Sequence, residues 1–368
     1  MAANFEQRRE PGRRATLKEV AAEVGVSPAT VSNAYNRPDQ LSSGLRERVL
    51  EVARRLGYPG PDPTARSLRR GRSGVIGVLY ADRLSYAFED PAAVLFLRGI
   101  SEAAEEAGLQ LLLVTGSLRD ESDVEAVGKA AVDGFVVYSM PEDDPSVHAV
   151  IERRVPTVLV DQPEGMGTPL VGIDDRGAAR AAAEHLVSLG HRRIGVVSFE
   201  LAREPVGGLV GADRQSAATF LASGQRLRGY AEALDPAGIP WERVPVYECA
   251  ENVLEEGKAA AGVLLAPDDR PTAILATSDL LAFGVTEAAE EMGLAVPGDL
   301  SVVGFDDVPE AARANPPLTT VHQPHMEKGL KAGRLLVSGL RGEDPPRTEI
   351  LPTRLVVRGS TAPPKTDA

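Results

Sequence analysis

Two groups of side chains in this sequence have types and spacing that could do chemistry. Residues 1–72 carry 14 Lys and Arg against 8 Asp and Glu, whereas the other 296 residues carry 26 against 45. Clustered basic residues bind phosphate groups, and carboxylates accept hydrogen bonds from hydroxyl groups or ring nitrogens. The charge distribution therefore predicts a basic head that contacts nucleic acid and an acidic body that does not, although the net charge is −13.

Motifs of known catalytic sites are absent from the sequence. It has no Walker loop, HExxH, CxxC or GxSxG. Gly71, Gly74 and Gly77 precede a predicted strand instead of following one, so they cannot cradle a phosphate as in dinucleotide sites. The acids Asp306 and Asp307 have no partnered nucleophile or base, and a lone cysteine cannot form an internal disulfide. We therefore expect no catalytic residues, no metal and no cofactor.

The first part of the chain has the signals of a helix-turn-helix. Thr16 and Glu19 have the spacing of a capping box, and Gly25 favours the end of a helix. Ser27 and Pro28 are the residue types preferred at the cap and first position of a second helix. In DNA-binding proteins the second helix of this motif enters the major groove. An ordinary three-helix structural bundle, completed by a helix over 43–56, is the alternative.

Residues 16–60, TLKEVAAEVGVSPATVSNAYNRPDQLSSGLRERVLEVARRLGYPG, resemble the headpiece of the LacI/GalR repressor family. The resemblance favours a DNA-binding head over a structural bundle. It implies that Pro28, Ala29 and Asn33 read bases. Proline and alanine offer only apolar contact with a thymine methyl, whereas Asn33 can pair bidentately with adenine. The other implied DNA contacts in the head are Thr16, Ser27, Thr30, Ser32 and Asn36.

Residues 61–72 form either a flexible linker or a short helix that begins at Pro63. The run ARSL at 65–68 resembles the hinge helix of the same family. The resemblance implies that Leu68 wedges between the central base pairs in the minor groove, where the cost of unstacking is offset by contacts to the bent DNA. It also implies that Arg66, Arg69 and Arg70 hold phosphates.

From residue 73 onward, short apolar runs alternate with helical segments, which predicts two α/β lobes with parallel sheets. The predicted strands are 75–80, 110–115, 134–140, 156–161, 193–199, 244–249, 273–279 and 300–306. An internal echo supports two similar lobes, since LRGISEAAEEAG at 97–108 and LRGYAEALDPAG at 227–238 share seven of twelve positions. Two such lobes place a ligand cleft between them, at the carboxyl ends of the strands.

This body resembles the effector-binding core of the family, which is similar to periplasmic sugar-binding proteins. EHLVSLGHRRIGVVS, ATSDLLAFGV and VPGDLSVVGFDD are among the matching segments, while 82–91 and 201–225 are longer than usual. The resemblance implies effector contacts at Arg226, Ser278, Asp279 and Asp306, and more weakly at Asp161 and Asp174. Tyr86 and Phe88 are candidates to stack on a ligand ring, or alternatively lid or core residues. Asp279 could instead cap a helix.

We therefore expect an N-terminal all-α helix-turn-helix headpiece followed by a two-lobed α/β periplasmic-binding-protein-like effector domain. The expected segments are a disordered tail at 1–15, the head at 16–60, the hinge at 61–72, the core at 73–360 and a disordered tail at 361–368. Within the core, lobe 1 is expected at about 73–191 and 324–340, and lobe 2 at about 192–323 and 341–358.

The expected function is that of a cytoplasmic, homodimeric transcriptional repressor. Its expected partners are a pseudo-palindromic double-stranded DNA operator with a central CG step and a small-molecule effector, a sugar or a nucleoside-like metabolite. No membrane partner is expected, because the sequence has neither a long apolar run nor a signal peptide. The alternatives are a solute-binding protein without DNA function and an α/β enzyme acting on sugars or nucleotides. The effector, the sign of regulation and dimer against tetramer stay open.

Overall fold

The computed structural model describes residues 15–60, 71–80, 84–115, 122–344 and 347–365. The chain divides into two compact units, Met1–Ser73 and Gly74–Ala368, and each is described by itself. The hinge candidates Arg66, Leu68, Arg69 and Arg70 lie outside the described residues, as do residues 1–14 of the tail predicted at 1–15.

The described part of the first unit, residues 15–60 and 71–73, contains three α-helices at the positions predicted from the sequence. They are α1 (Leu17–Val24), α2 (Pro28–Asn36) and α3 (Ser43–Leu56). The capping box between Thr16 and Glu19 is present, and Gly25 ends α1 at φ 78°, a conformation that glycine adopts without strain. A small core holds the helices together, consisting of Val20, Ala21, Val24, Val31, Ala34, Val49 and Ala53.

The second unit alternates helices and strands. Its described α-helices are α4 (Tyr86–Glu89), α5 (Pro91–Ala107), α6 (Ser122–Lys129), α7 (Pro145–Glu152), α8 (Asp175–Ser188), α9 (Ala212–Ser216), α10 (Leu221–Leu234), α11 (Leu254–Leu264), α12 (Asp279–Glu291) and α13 (His325–Leu340). Short 3-10 turns occupy Pro38–Gln40 in the first unit and Asp235–Ala237 and Trp241–Arg243 in the second. Of the described helices, none has the length and apolarity needed to cross a membrane.

All eight predicted strands are present, with ends shifted by at most a few residues. The first sheet contains β1 (Val75–Tyr80), β2 (Gln110–Thr115), β3 (Gly134–Tyr138), β4 (Thr157–Val160), β5 (Leu170–Ile173) and β12 (Thr348–Leu351). The second contains β6 (Ile194–Ser198), β7 (Gly208–Leu209), β8 (Val246–Glu248), β9 (Ala273–Ala276), β10 (Ser301–Asp306), β11 (Thr319–His322) and β13 (Arg354–Val356). The sequence did not predict β5, β7, β11, β12 or β13.

Each sheet forms the centre of one lobe. Among the described residues the strand order is β12-β5-β4-β3-β1-β2 in the first sheet and β13-β11-β10-β9-β6-β8-β7 in the second. All pairings are parallel except those of β13 and β7. The strands read as unbroken apolar runs because helices cover both faces of a parallel sheet. The prediction of two parallel lobes is confirmed.

The boundaries between the lobes differ from those expected. Helix α8 was assigned to lobe 1, but it packs against α10 and next to β9, β11 and β13 of lobe 2. Residues 341–358 were assigned wholly to lobe 2, but β12 pairs with β5 in the first sheet. The chain therefore crosses between lobes three times, after β5, after β11 and after β12. Non-local strand pairing decides these crossings, and local sequence patterns do not report it.

The C-terminal segment also departs from the expected disordered tail. The amide of Ala362 donates to Ser301 Oγ at 3.0 Å, and Lys365 Nζ lies 2.5 Å from Asp299 Oδ1. Residues 361–365 are therefore held against lobe 2, where polar groups at the start of β10 offer partners.

The internal echo corresponds to two helix crossings closed by glycine. In α5, a Cβ at Gly99 would overlap the carbonyl oxygen of Met326 in α13. In α10, a Cβ at Gly229 would overlap the carbonyl oxygen of Arg176 in α8. The repeated Leu-Arg-Gly thus marks the place in each lobe where two helix backbones approach too closely for any side chain.

Candidate functional site

The surface of α2 presents the residues expected to read DNA. Pro28 and Ala29 are exposed at the start of the helix. Ser27 caps it, since its Oγ accepts from the amide of Thr30 at 3.1 Å and lies 2.8 Å from the hydroxyl of Thr30. Asn33 lies one turn beyond Ala29, and its amide donates only a long hydrogen bond of 3.4 Å to Gln40 Oε1. This side chain can therefore turn to another partner at little cost.

Two other polar residues of α2, Ser32 and Asn36, bond to each other. Asn36 Nδ2 donates to the carbonyl of Ser32 at 3.0 Å and to its hydroxyl at 3.3 Å. Both side chains are partly buried and satisfy each other at the end of the helix. The arrangement favours Asn33 over Asn36 as the amide that contacts a base.

In the second unit, a cavity of about 140 Å³ lies between the two lobes, at the carboxyl ends of the strands as predicted. Lobe 1 contributes Tyr80, Tyr86, Asp90, Tyr138, Ser139 and Asp161. Lobe 2 contributes Glu200, Phe220, Arg226, Asn252, Ser278 and Asp306. The crossing after β11 contributes Gln323 and His325. We call this cavity the cleft.

Hydrogen bonds connect the two lobes on either side of the cleft. The hydroxyl of Tyr86 in lobe 1 donates to the carbonyl of Asn252 in lobe 2 at 3.1 Å and accepts from Asn252 Nδ2 at 2.8 Å. Gln162 of lobe 1 accepts from the amide of Leu221 at the start of α10, at 2.5 Å. These hydrogen bonds hold the two lobes in contact, so that each lobe forms one wall of the cleft.

Arg226 is buried in the wall of lobe 2. Its Nε donates to Asp175 Oδ1 at 2.7 Å, and its Nη1 donates to the carbonyl of Thr277 at 2.5 Å. The guanidinium lies over the ring of Phe305, with 3.8 Å between its central carbon and the ring centroid. Although burial opposes the charge, Asp175 and Asp306 hold the pKa of Arg226 above its usual value. The side chain is therefore fixed and charged.

Asp306 is held in the wall of lobe 2 by hydrogen bonds to both of its carboxylate oxygens. Its Oδ1 accepts from Gln323 Nε2 at 2.6 Å, and its Oδ2 accepts from the amide of Asp279 at 3.3 Å. The backbone φ of Asp306 is 139°, a value that residues with side chains rarely adopt. Such strain is characteristic of functional sites, because the surrounding contacts must maintain it.

Asp161 and Lys328 form a buried ion pair on the opposite side. Lys328 Nζ donates to Asp161 Oδ1 at 2.6 Å and to Gln323 Oε1 at 3.0 Å. The side chain of Lys328 is 1% exposed. Through Gln323, this pair is connected to Asp306, so a continuous chain of polar contacts joins the two walls of the cleft.

Asp90 and His325 both face the cleft, and Asp90 also caps α5 by accepting from the amide of Ala92 at 3.0 Å. Burial and the charge of Asp306 raise the pKa of Asp90 to about 7. Burial lowers the pKa of His325 more than the nearby Asp306 raises it, so the ring is neutral at pH 7. Neither ring nitrogen of His325 has a hydrogen-bond partner within the described residues. Both groups are in protonation states that suit hydrogen bonding to an uncharged ligand.

The protonation of Asp90 predicts a pH dependence of stability. The folded state keeps a proton between about pH 4 and pH 7 that the unfolded state releases, so stability falls as the pH rises through this window. We expect Asp90→Asn to raise the Tm by several °C at pH 8 and by about a third as much at pH 5, because only the lower part of the window lies below pH 5. Thermal unfolding of both proteins at both pH values measures this.

The matched control is Asp174→Asn, which changes an exposed acid that caps α8 through the amide of Gly177 at 2.9 Å. It keeps the capping oxygen and removes a charge that is in water. An equal gain at pH 8 in both variants would contradict the role assigned to burial of Asp90.

Five of the eight residues expected to contact an effector line the cleft, and three do not. Those that line it are Tyr86, Asp161, Arg226, Ser278 and Asp306. Phe88 is 63% exposed, because the turn α4 places it on a different face from Tyr86. The carboxylate of Asp174 caps α8 and does not line the cleft. Asp279 is wholly buried beneath the cleft, where it accepts from Thr320 and the amide of Val308.

The alternative for Asp279 was also wrong in detail, because Ser278 caps α12 and Asp279 is its first residue. Burial and the charge of Asp306 raise the pKa of Asp279 well above its usual value. This acid supports Asp306 from behind instead of reaching the cavity.

The sequence did not predict several residues of the cleft. Tyr80 and Tyr138 end strands β1 and β3, and their rings stack with centroids 5.2 Å apart. Asp90 precedes Pro91 as a helix cap, a signal that explains its position but not its burial. Asn252, Gln323 and His325 lie in irregular segments or at a helix start, and their sequence carries no signal that they meet.

Comparison with known proteins agrees with this arrangement. Residues 16–60 match the bacterial regulatory proteins of the lacI family, and residues 183–361 match the periplasmic binding protein-like domain. The HTH-type transcriptional regulator Rv3575c of Mycobacterium tuberculosis is 47% identical over 362 residues, which cover 96% of this chain and 98% of the relative. The chain belongs to the lacI family. It is a DNA-binding transcriptional regulator with an effector-binding domain.

Two solved structures of this family are similar over nearly the whole chain. The lac repressor dimer bound to operator and the anti-inducer ONPF is 26% identical, with a TM-score of 0.77, and covers 95% of this chain and all of that one. The complex of the transcriptional regulator CelR with cellobiose is 32% identical, with a TM-score of 0.68, and covers 94% and 100%. DNA and a small molecule are therefore the two kinds of partner of this regulator.

Proposed function

We propose that this regulator is a homodimeric repressor of a pseudo-palindromic operator with a central CG step. In each half-site, the head reads bases through Pro28, Ala29 and Asn33. It contacts the sugar–phosphate backbone of the DNA through Thr16, Ser27, Thr30 and Ser32. The lac repressor dimer is bound to operator in its structure, and its likeness to this chain supports the proposal. The exposure of Pro28 and Ala29 and the loosely held amide of Asn33 are consistent with it.

The hinge is assigned the second DNA contact. By resemblance, Leu68 enters the minor groove at the central step, with Arg66 and Arg69 on phosphates. A symmetric pair of hinges explains why the operator should be palindromic, since a two-fold axis in the protein requires one in the DNA.

The cleft is assigned the control of operator affinity. A sugar or nucleoside-like metabolite binds there through Arg226, Asp306, Asp161, Ser278 and Tyr86. The observation that carries this proposal is the cleft itself, which has polar groups from both lobes facing one cavity. The effector changes operator affinity because it binds two conformations with different affinity, so it can act as inducer or co-repressor.

A selection of duplexes from a randomised DNA pool, with the purified full-length protein, tests the DNA side. We expect a palindrome with CG at its centre. A selected site without two-fold symmetry would contradict the homodimer. The selected site then serves to measure operator affinity with and without candidate effectors, and an unchanged affinity with every bound ligand would contradict the regulatory role of the cleft.

Replacement of Leu68 by alanine separates specific from non-specific DNA binding. Without the wedge, the operator is not bent and the protein surface that only bent DNA reaches stays unbound, so affinity for the selected site should fall by about 10- to 100-fold. Affinity for random duplex should change by less than about twofold, because that binding is dominated by phosphate contacts. Fluorescence anisotropy titrations with both duplexes measure the two values.

The comparison variant for this test is Arg69→Ala, which removes a phosphate contact. This variant should weaken binding to both duplexes alike. It should also reduce the number of ions released on binding, read from the slope of log affinity against log salt concentration, by about one. Equal losses on both duplexes in the Leu68 variant would show that the leucine is not a wedge.

A further inference from the structure

The electrostatics of the cleft restrict the kind of effector that it can hold, given the effector site proposed above. Four carboxyl groups line the cavity, those of Asp90, Asp161, Glu200 and Asp306, and the one permanent cation among the described lining residues is Arg226. A pocket with this balance has a negative potential. An anionic ligand would bring like charges together in a partly desolvated space, where their repulsion is stronger than in water.

Arg226 is not available to neutralise an anion. Its charge is already opposed by Asp175 at 2.7 Å, and its Nε and Nη1 are used by Asp175 and the carbonyl of Thr277. Phosphate or carboxylate recognition by arginine normally uses two parallel donors of the guanidinium. Because Nε is engaged by Asp175, the fork that uses Nε is blocked. The remaining N–H groups of Nη1 and Nη2 can still donate to a ligand hydroxyl, but the charge of the guanidinium is already balanced by Asp175.

Lys328 also has partners within the protein. It donates to Asp161 at 2.6 Å and to Gln323 at 3.0 Å, and it does not itself line the cavity. Among the described residues, Arg226 and Lys328 therefore each have a carboxylate partner, and neither is left to neutralise an anionic ligand.

His325 is an independent observation that points to a ligand group in the cleft. Its side chain is 4% exposed and lines the cleft, yet neither Nδ1 nor Nε2 has a hydrogen-bond partner among the described residues. Its Nε2 lies 3.5 Å from Asp306 Oδ1, too far for a good hydrogen bond. Buried polar groups are almost always satisfied, so a ligand group is expected at this place. A hydroxyl fits best, because it can accept from the imidazole and donate to the carboxylate.

The size and the apolar surface of the cleft point to one ring. The volume of about 140 Å³ is close to that of a protein cavity that holds one benzene molecule, which is about 150 Å³. Tyr80, Phe199 and Phe220 line the cleft and offer apolar surface for the C–H groups of a ring, whereas Tyr138 is already stacked on Tyr80 and on Phe96, with centroids 5.2 and 4.0 Å apart.

We propose that the cleft selects an uncharged, polyhydroxylated molecule of a single ring, with one hydroxyl placed between His325 and Asp306, and excludes its phosphorylated and carboxylated derivatives. This deepens the proposed function by narrowing the effector to the neutral monosaccharide type. Nucleosides and disaccharides fall outside it.

Isothermal titration of the full-length protein with matched ligands tests the proposal. The panel contains neutral hexoses, pentoses and cyclic polyols, the corresponding phosphates, uronic acids and amino sugars, and nucleosides and disaccharides. At least one neutral single-ring member should bind, and its phosphate and acid should bind at least about 100-fold more weakly. Equal or tighter binding of an anionic derivative, a nucleoside or a disaccharide would overturn the proposal, as would the absence of any neutral ligand.

The variant His325→Phe tests the placement of the hydroxyl. Because His325 makes no hydrogen bond with the described residues, phenylalanine should leave the Tm unchanged or raise it, while the ligand should bind at least about tenfold more weakly. His191→Phe is the control. That histidine is also buried, but it contacts Thr272, Ser301 and the carbonyl of Ala362 at 2.9–3.1 Å. The variant His191→Phe should therefore lower the Tm and leave the affinity for the ligand unchanged.

Unchanged ligand affinity in the His325 variant would show that no hydroxyl lies there and would overturn the proposal. Failure of the proposed function is distinguishable from this. A neutral ligand that binds as described without changing operator affinity would contradict regulation through the cleft and leave the selection of ligand by charge and size intact.

Discussion

Replacement of Lys328 by methionine should lower the free energy of unfolding of the core by about 3–5 kcal/mol. The side chain is 1% exposed and its ammonium group lies 2.6 Å from Asp161 Oδ1. Methionine fills the space of the lysine stem but leaves the carboxylate of Asp161, which is 12% exposed, without the cation that compensates its desolvation. Chemical denaturation followed by circular dichroism measures the change.

The double variant Lys328→Met with Asp161→Asn should recover most of this loss, because no buried charge is left alone. Lys331→Met on the same helix is the matched control. Its partner Glu349 lies 2.8 Å away, but the lysine is 37% exposed, so we expect a loss of at most about 1 kcal/mol. A Lys328 variant as stable as the Lys331 variant would show that the buried pair does not stabilise the fold.

The Lys328 pair also illustrates what local sequence patterns do not report. Nothing in HMEKGLKAG distinguishes Lys328 from Lys331, since both occupy one helix in a similar setting. One is buried because α13 packs between α5 and the first sheet, next to the crossing that carries Gln323. Burial of this kind is decided by tertiary packing and cannot be predicted from local composition.

Where local rules govern the backbone, the sequence predicted the structure well. The head follows from caps and glycine ends, and Thr16, Gly25 and Ser27 occupy the predicted positions. Eight strands of the two lobes were recognised by their apolar runs. Strands β12 and β13 were not, because TEIL and RLV are short, partly exposed and held by partners far along the chain.

The same distinction applies to the cleft. Asp306 was expected from the family resemblance and Asp161 more weakly, and both lie at the carboxyl end of a parallel strand, where a cleft between two such lobes is expected. The prediction that Phe88 lies beside Tyr86 in the cleft was wrong. The two residues belong to one short helix, and residues two apart in a helix point to different sides. His325 and Asp90 reach the cleft from the starts of helices, and their unusual protonation comes from burial, which no spacing reveals.

Replacement of Arg226 by methionine is expected to affect both stability and regulation. The guanidinium is 7% exposed and supports Asp175, which is 11% exposed, at 2.7 Å. Methionine keeps apolar contact with Phe199 and Phe305 but leaves Asp175 and the carbonyl of Thr277 without their donor. The free energy of unfolding should fall by about 3–5 kcal/mol. We also expect the effector found in the ligand panel to lose its influence on operator affinity.

A second variant separates the two effects. Arg226→Met with Asp175→Asn should regain most of the stability, because the unpaired charge is gone, and should still fail to respond to effector, because the donor in the cleft is missing. Arg176→Met serves as control, since Arg176 lies next to Asp175 in α8 but pairs with Glu232 at the surface and is 52% exposed. It should cost at most about 1 kcal/mol and keep the response. If the stable double variant responded to effector like the unaltered protein, Arg226 would hold α8 in place without contacting the effector, and recognition would rest on Asp306 and His325.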